Sequence, residues 1–357
     1  MAKIRVLVAD DSQTVRKRLV EILEADADFE IVGEAQNGKR AIELCQEYRP
    51  DIITMDMMMP AMTGLSAIEY IMAHCPTPIL VVSASTNRGE FFKIYDSLAA
   101  GAVDVLEKPL DDDIDSEWRR RLLAMAKMAS RIRVITHPRA RLMSMRKPAP
   151  AFVPPLVSLP PPGAFSLIAI GASTGGPGAI VEVLRALPAQ FEVPIAVVLH
   201  MNEPFAAAFG DWLEGQVGRP VSYPEEGAPV AASAGCVVMA PGGRHLIVRS
   251  GHFRLTDDEE RHSCRPSVDV LFESVAAEYG RSTAACLLTG MGKDGALGLL
   301  KIREAGGVTI AQNEETSVVH GMPREAIARG AAQQVLPIGE IGRRLAALQG
   351  ASAEACV

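Results

Sequence analysis

Short apolar runs alternate with amphipathic stretches along nearly the whole chain, and the alternation breaks once, between Ser130 and Gly163. That rhythm constrains the fold more than any single motif. An apolar run of four to eight residues bounded by turn residues reads as a buried strand, whereas apolar residues three and four apart mark one face of a helix. Strands and helices in alternation imply a parallel sheet with helices on both faces. In the first part, residues 4–9, 52–55, 79–82 and 103–106 read as strands. Val15, Leu19, Ile22 and Leu23 mark a helix face, and residues 41–48, 66–72 and 91–100 supply further helices. After the break, strands are expected at 167–170, 195–199, 236–239, 284–288 and 308–311. Helices are expected at 178–187, 205–214, 268–279, 296–304 and 338–348. Residues 246–249 and 253–256, joined across Ser250-Gly251-His252, read as a hairpin.

The break itself holds Pro138, Pro148, Pro150, Pro154, Pro155 and Pro160 to Pro162, and between Ser130 and Pro150 six basic residues and no acid. Proline lacks the backbone donor and fixes φ, so the stretch forms neither a regular helix nor an inner strand. It reads as a semi-rigid solvated tether, with its positive charge available to dock an acidic partner. The expected layout is α/β throughout: a domain at 1–128, a Pro-rich linker at 129–164 and a second doubly wound parallel-sheet domain at 165–350. A chain of 357 residues with 48% hydrophobic content has enough apolar material for two cores.

The bulk properties exclude several function classes. A net charge of -7 argues against a general nucleic-acid binder, and no helix-turn-helix signal supports a DNA-binding factor. No apolar stretch reaches membrane-spanning length, so no direct membrane insertion is expected. No signal peptide is evident at the start of the sequence. The six cysteines are scattered without a C-x-x-C pair, which suits a reducing cytoplasm better than a disulfide framework or a zinc site.

Acidic residues gather at the strand ends of the first part. Asp10 and Asp11 follow the first strand, Asp56 follows the strand at 52–55, Ser83 the strand at 79–82, and Lys108 the strand at 103–106. The carboxyl ends of parallel strands share one sheet edge, so these side chains converge. Crowded carboxylates repel, and Mg²⁺ relieves the repulsion. Asp56 is then placed to attack phosphorus, with Lys108 pairing with phosphoryl oxygens and Ser83 hydrogen-bonding one of them. An Asp pair after a strand is by itself only a cap signal; the ordered set is what carries the reading. This set resembles the response-regulator receiver domain, of flavodoxin-like fold. The resemblance makes Asp56 the phosphoacceptor and Asp10, Asp11 and Asp56 the metal-binding acids. Many receivers carry an aromatic switch residue three positions before the lysine; here Val105 stands there.

In the second part, Gly171-Ala172-Ser173-Thr174-Gly175 follows a buried strand and opens a helix at about Pro177. It fits a nucleophile turn, although a glycine-rich turn after a strand equally suits a phosphate. His200 ends the next strong strand, and Asp294 lies in the glycine-rich turn after the strand at 284–288. All three fall on one sheet edge as nucleophile, base and orienting acid. Their chain order of Ser, His, Asp disfavours the α/β-hydrolase fold.

Five stretches in order resemble the chemotaxis protein-glutamate methylesterase family: Ile170 to Gly176, Ala240 to His245, Arg265 to Phe272, Leu288 to Ala296 (with Lys293 and Asp294 inside it) and Gly321 to Arg324. The resemblance implies a Rossmann-like catalytic domain in which Ser173 is the nucleophile, His200 the base, Asp294 its partner and the Met291 N–H an oxyanion donor. It implies hydrolysis of glutamate methyl esters on methyl-accepting chemoreceptors, with deamidation of receptor glutamines besides. It implies a chemotaxis histidine kinase as phosphodonor, and an unphosphorylated receiver that covers the Ser173 face until Asp56 is phosphorylated. The family often has Gln-His-Met-Pro-Pro at the base; this chain has Leu199-His200-Met201-Asn202-Glu203-Pro204. The competing class is a phosphorylation-dependent adaptor that performs no chemistry.

Overall fold

A computed structural model describes residues 3–84, 88–109, 116–132, 165–201 and 203–350. The proline-rich segment expected as a linker lies outside the described residues apart from its first four, 129–132. The chain divides into two compact units, Met1–Ala149 and Pro150–Val357.

The first unit is built on five strands, β1 (Ile4–Ala9), β2 (Phe29–Ala35), β3 (Ile52–Met55), β4 (Ile79–Ser83) and β5 (Asp104–Glu107). They pair in parallel in the order β2-β1-β3-β4-β5, the flavodoxin-like arrangement. The helices are α1 (Gln13–Glu24), α2 (Gly38–Tyr48), α3 (Gly64–His74), α4 (Arg88–Ala99) and α5 (Ser116–Ala129). Leu19, Ile22 and Leu23 of α1 and Leu122 and Ala126 of α5 pack on Val6, Val8, Ile52, Leu80 and Val82. Strand side chains alternate between faces, so Leu7, Ile53 and Val81 look the other way; Ala41, Ile42, Ala67, Ile68 and Ile71 of α2 and α3 are buried as well. The apolar pattern missed β2 and α5. β2 is an edge strand with one neighbour, and its Glu30 and Glu34 remain exposed, so it lacks a continuous apolar run.

The second unit carries seven parallel strands in the order β14-β13-β12-β6-β7-β9-β8. These are β6 (Leu167–Ala172), β7 (Ile195–Leu199), β8 (Val221–Ser222), β9 (Val237–Met239), β12 (Thr283–Leu287), β13 (Val308–Gln312) and β14 (Gln334–Leu336). β10 (His245–Arg249) and β11 (His252–Thr256) form the expected hairpin apart from the sheet. The helices are α6 (Gly176–Arg185), α7 (Glu203–Val217), α8 (Val268–Tyr279), α9 (Ala296–Glu304), α10 (Met322–Ala328) and α11 (Ile338–Gly350). The short edge strands β8 and β14 and the seven-residue α10 escaped the sequence reading, because each is shorter than the window in which a period declares itself.

Strand order reverses between β6 and β12. From β6 the chain moves outward through β7 to the edge strand β8, fills the gap between them with β9, then returns to place β12 on the other side of β6. A parallel sheet opens a crevice at such a switch point, beyond the carboxyl ends of the strands. Ser173 follows β6, and the loop carrying Met291 and Asp294 follows β12. Topology alone therefore puts the two segments side by side.

The helices α8 and α9 approach closely at Gly298. A Cβ added there would lie 2.6 Å from Phe272 Cβ and 2.9 Å from the Asp269 carbonyl oxygen. Overpacking of this kind costs about 1–3 kcal/mol, more than the helix propensity alanine gains over glycine. Gly298→Ala is therefore expected to lower the urea midpoint of the second unit; an unchanged midpoint would mean that the two helices separate without cost.

Candidate functional site

Ser173 stands half-buried one residue beyond β6, a strand buried along its whole length. Its amide donates to the Thr289 carbonyl at 3.0 Å, and its own carbonyl accepts from Gly176 N–H at 2.7 Å as α6 begins. The Thr289 hydroxyl donates to the Thr174 carbonyl at 3.0 Å. The nucleophile turn is thus tied to the end of β12. At Gly290 an added Cβ would lie 2.8 Å from Ser173 Cβ and 2.3 Å from Met322 Sδ. Only glycine lets the 289–292 loop come so near. Met291, the next residue, is 55% exposed, and its N–H has no partner among the described residues.

His200 arrives from the neighbouring strand. Ala172 and Leu199 are register partners on β6 and β7, and His200 N–H donates to the Ala172 carbonyl at 3.1 Å. Its imidazole Nε2 donates to Asp294 Oδ2 at 2.8 Å, because a carboxylate has only acceptors to offer. Nδ1 faces Cys264 Sγ at 3.7 Å. Among the described residues no hydrogen bond joins Ser173 Oγ to the imidazole. The two residues come from adjacent strand ends, and the nitrogen left for the serine is Nδ1.

Asp294 is 2% exposed and saturated with donors. It accepts from Ser267 Oγ at 2.8 Å, Val268 N–H at 2.7 Å and Asp269 N–H at 3.1 Å, besides His200. Those amides belong to the first turn of α8, where free N–H groups and the helix dipole favour an anion. Burial opposes the charge; the bonds from His200, Ser267 and the Asp269 amide overcome it and hold the carboxyl below its ordinary range. The arrangement is reciprocal. Asp269, in the first turn of α8, accepts from Gly298 N–H in the first turn of α9 at 2.6 Å. Asp294, just before α9, accepts from the first turn of α8. Burial also disfavours a charged His200, but the bonds to Asp294 and the Cys264 thiol prevail and raise it to about 9.

Reading the sequence for chemistry singled out Ser173, His200, Asp294 and Met291 but not the supporting residues. Ser267 and Asp269 lay unassigned within the stretch from Arg265 to Phe272. The available signal was a Ser-x-Asp pair opening a helix, which is an N-cap pattern. Ser267 is fully buried and also caps α8 by accepting from Val270 N–H.

In the first unit the expected acidic set does gather. One carboxylate oxygen from each of Asp10, Asp11 and Asp56 lies within 4.8 Å of the others. Asp10 and Asp56 are buried and Asp11 is exposed at the rim. Lys108 Nζ reaches Asp10 Oδ2 at 2.8 Å and Asp56 Oδ2 at 3.2 Å. Burial pushes the Asp10 carboxyl up, Lys108 pulls it down, and the nearby Asp56 charge adds to the rise. Ser83 closes β4, and its carbonyl accepts from Lys108 N–H at 3.1 Å. An all-oxygen, largely anionic donor set of this kind suits a hard divalent cation such as Mg²⁺. Val105 sits half-buried on β5.

Removing the Ser267 hydroxyl leaves one oxygen of a buried carboxylate short of a donor and strips the α8 cap. Ser267→Ala is expected to cost about 1.5–3 kcal/mol in urea unfolding. It should also reduce turnover through the loosened Asp294. Stability equal to that of the unaltered protein would remove Ser267 from this role.

The family model described as CheB methylesterase matches residues 168–345, and that of the response regulator receiver domain matches residues 6–114. A protein-glutamate methylesterase/protein-glutamine glutaminase of Anaeromyxobacter dehalogenans is 42% identical over 96% of each chain. A second such protein, from Syntrophus aciditrophicus, is 41% identical over 98% of this chain and 99% of its own. The crystal structure of the Thermotoga maritima CheB methylesterase catalytic domain is 37% identical, covering 52% of this chain and 98% of that one, with a TM-score of 0.49. With identity at this level over nearly its whole length, the chain belongs to the CheB methylesterase family and carries that family's receiver domain.

Proposed function

We propose that this protein is a serine esterase that hydrolyses the methyl esters of glutamates on methyl-accepting chemoreceptors, deamidates receptor glutamines, and is governed by phosphorylation of Asp56. The observation that carries the reading is the 2.8 Å bond from the His200 imidazole to a buried, donor-saturated Asp294, at the strand end next to Ser173. The relatives' names supply the substrate class.

Ser173 Oγ attacks the ester carbonyl while His200 Nδ1 takes its proton, and the Nε2–H bond to Asp294 stabilises the imidazolium that forms. The Met291 N–H, beside the Gly290 approach to Ser173, faces the developing oxyanion. Methanol leaves with the proton from His200, and water then hydrolyses the acyl-enzyme by the same route in reverse. The serine-to-base bond forms as substrate seats, as bonds that are open in a free enzyme commonly do. For a glutamine side chain the leaving group is ammonia.

In the receiver domain, an Asp56 carboxylate oxygen attacks the phosphorus of a phosphohistidine on a chemotaxis histidine kinase, the new O–P bond forming as the N–P bond breaks and the kinase's imidazole leaves. Asp10, Asp11 and Asp56 are the residues that would hold Mg²⁺, which would supply charge neutralisation there. Lys108, already within reach of Asp10 and Asp56, pairs with the phosphoryl oxygens, and Ser83 donates to one of them. The setting proposed is the cytoplasm, which suits five described cysteines that are all free.

Methanol release from methylated receptor tests the esterase. Ser173→Ala is expected to lower it by about 10³-fold or more; retained release would remove Ser173 from the reaction. An imidazole accepts a proton only when neutral. The kcat/KM should therefore climb with pH and level off above about 9, and a plateau beginning near 6.5 would show that Asp294 does not govern the base. For the control step, a small-molecule phosphodonor with Mg²⁺ is expected to raise methanol release severalfold in the unaltered chain and to leave Asp56→Asn unchanged. Equal stimulation of both would place the phosphoryl site elsewhere.

A further inference from the structure

We infer that His200 and Cys264 form a binding site for a thiophilic divalent cation, Zn²⁺ foremost, whose occupancy ties up the nitrogen that would accept the serine proton. The sequence offered no zinc pattern, since Cys264 and His200 are 64 residues apart and no C-x-x-C is present. The fold brings them together. His200 Nε2 is committed to Asp294, so in the neutral ring Nδ1 holds a bare lone pair. That nitrogen lies 3.7 Å from Cys264 Sγ. A tetrahedral zinc with bonds of about 2.0–2.1 Å to nitrogen and about 2.3 Å to sulfur separates the two donors by about 3.6 Å. The pair thus already spans one edge of the coordination tetrahedron.

The surroundings match what such a site needs. A metal-bound imidazole normally gives its other N–H to a carboxylate, which sets the tautomer and the ring orientation. Asp294 holds that place, and its four protein donors leave it better suited to orienting His200 than to ligating. Cys264 is fixed by paired backbone bonds with Arg261, at 3.2 Å and 3.0 Å, across a turn in which His262 and Ser263 both take positive φ, 54° and 58°. Its side chain is partly exposed, which leaves an entry path, and its thiol points at the His262 carbonyl at 3.4 Å. Binding forms one Zn–N and one Zn–S bond and releases to solvent the thiol proton and, below about pH 9, the proton that Nδ1 of the charged imidazole carries. Water fills the remaining positions.

Two donors from the protein make a reversible site. Binding stands on the Nδ1–Sγ geometry alone. The inhibition rests on the proposed role of His200 as the base, and the test separates the two. The full chain, with Mg²⁺ in excess to fill the acidic cluster of the first unit, is titrated with Co²⁺ as a coloured stand-in for Zn²⁺. One equivalent should produce sulfur-to-cobalt charge-transfer absorption that Zn²⁺ displaces. The band should vanish in Cys264→Ser and in His200→Gln and persist in Cys236→Ser. Absence of the band, or its survival in Cys264→Ser, overturns the site. In parallel, Zn²⁺ should suppress methanol release at least tenfold and EDTA should restore it. With each variant measured against its own metal-free rate, Cys264→Ser should require at least tenfold more Zn²⁺ for the same fractional loss; equal sensitivity overturns the proposal. A Cys264-dependent band with undiminished methanol release would leave the metal site standing and remove His200 from the role of base.

Discussion

A buried carboxylate with four donors organises the second unit. Asp294 would be costly to ionise at 2% exposure, since effective desolvation penalties run to several kcal/mol per ion. The first turn of α8 answers that cost with two amides and the Ser267 hydroxyl. The answer requires α8 and the start of α9 to meet, and Gly298 is the residue that lets them. Asp269 completes the clasp in the opposite direction through Gly298 N–H. Two helix ends, each holding the other's carboxylate, set the position of the group against which His200 aligns. The orientation of the imidazole is therefore a consequence of helix packing rather than of the loop on which His200 sits.

Two sheets in one chain use the same geometric device for different chemistry. In each, the reacting groups stand beyond the carboxyl ends of parallel strands. In the first unit the strand ends deliver carboxylates and a lysine, so the edge is a charged cluster in which Asp10 is pushed up by burial and moderated by Lys108. In the second they deliver a hydroxyl, an imidazole and one carboxylate, the last held below its ordinary range because donors outnumber charges around it. The contrast lies in donor supply. Asp10 has one backbone amide, that of Ser12, and shares one ammonium with Asp56, whereas Asp294 has two helix amides, a hydroxyl and an imidazole to itself.

The close approach of backbone at Gly290 has a steric cause as well. Ser173 is fixed by bonds to residue 289 on one side and by the start of α6 on the other. A side chain at 290 would push the following loop away from the serine and carry the Met291 amide with it. Glycine at this position is a requirement of distance, since the loop and the nucleophile share the crevice opened by the reversal of strand order.

Much of this was legible in the residues alone. Buried central strands such as Leu167–Ala172 and Ile195–Leu199 announce themselves, because a strand covered on both faces and both edges must be apolar throughout. The chemistry-bearing residues Asp10, Asp56, Ser173, His200 and Asp294 were visible because each follows a central strand or lies in the turn beyond it, Lys108 because it follows the short edge strand β5, and parallel strands end on one side. Edge strands β2, β8 and β14 were not, since half-exposed elements carry mixed composition. Nor could spacing along the chain reveal that Ser267 and Asp269 serve Asp294, or that Cys264 faces His200: these pairings cross 25 to 64 residues and exist only once α8 has docked against α9. Strand periodicity and chain order are enough to say which groups line the two sheet edges. Which nitrogen of His200 is held, what holds it and what lies against the other one were decided by tertiary packing, because they depend on how helix ends meet, and local sequence carries no record of that.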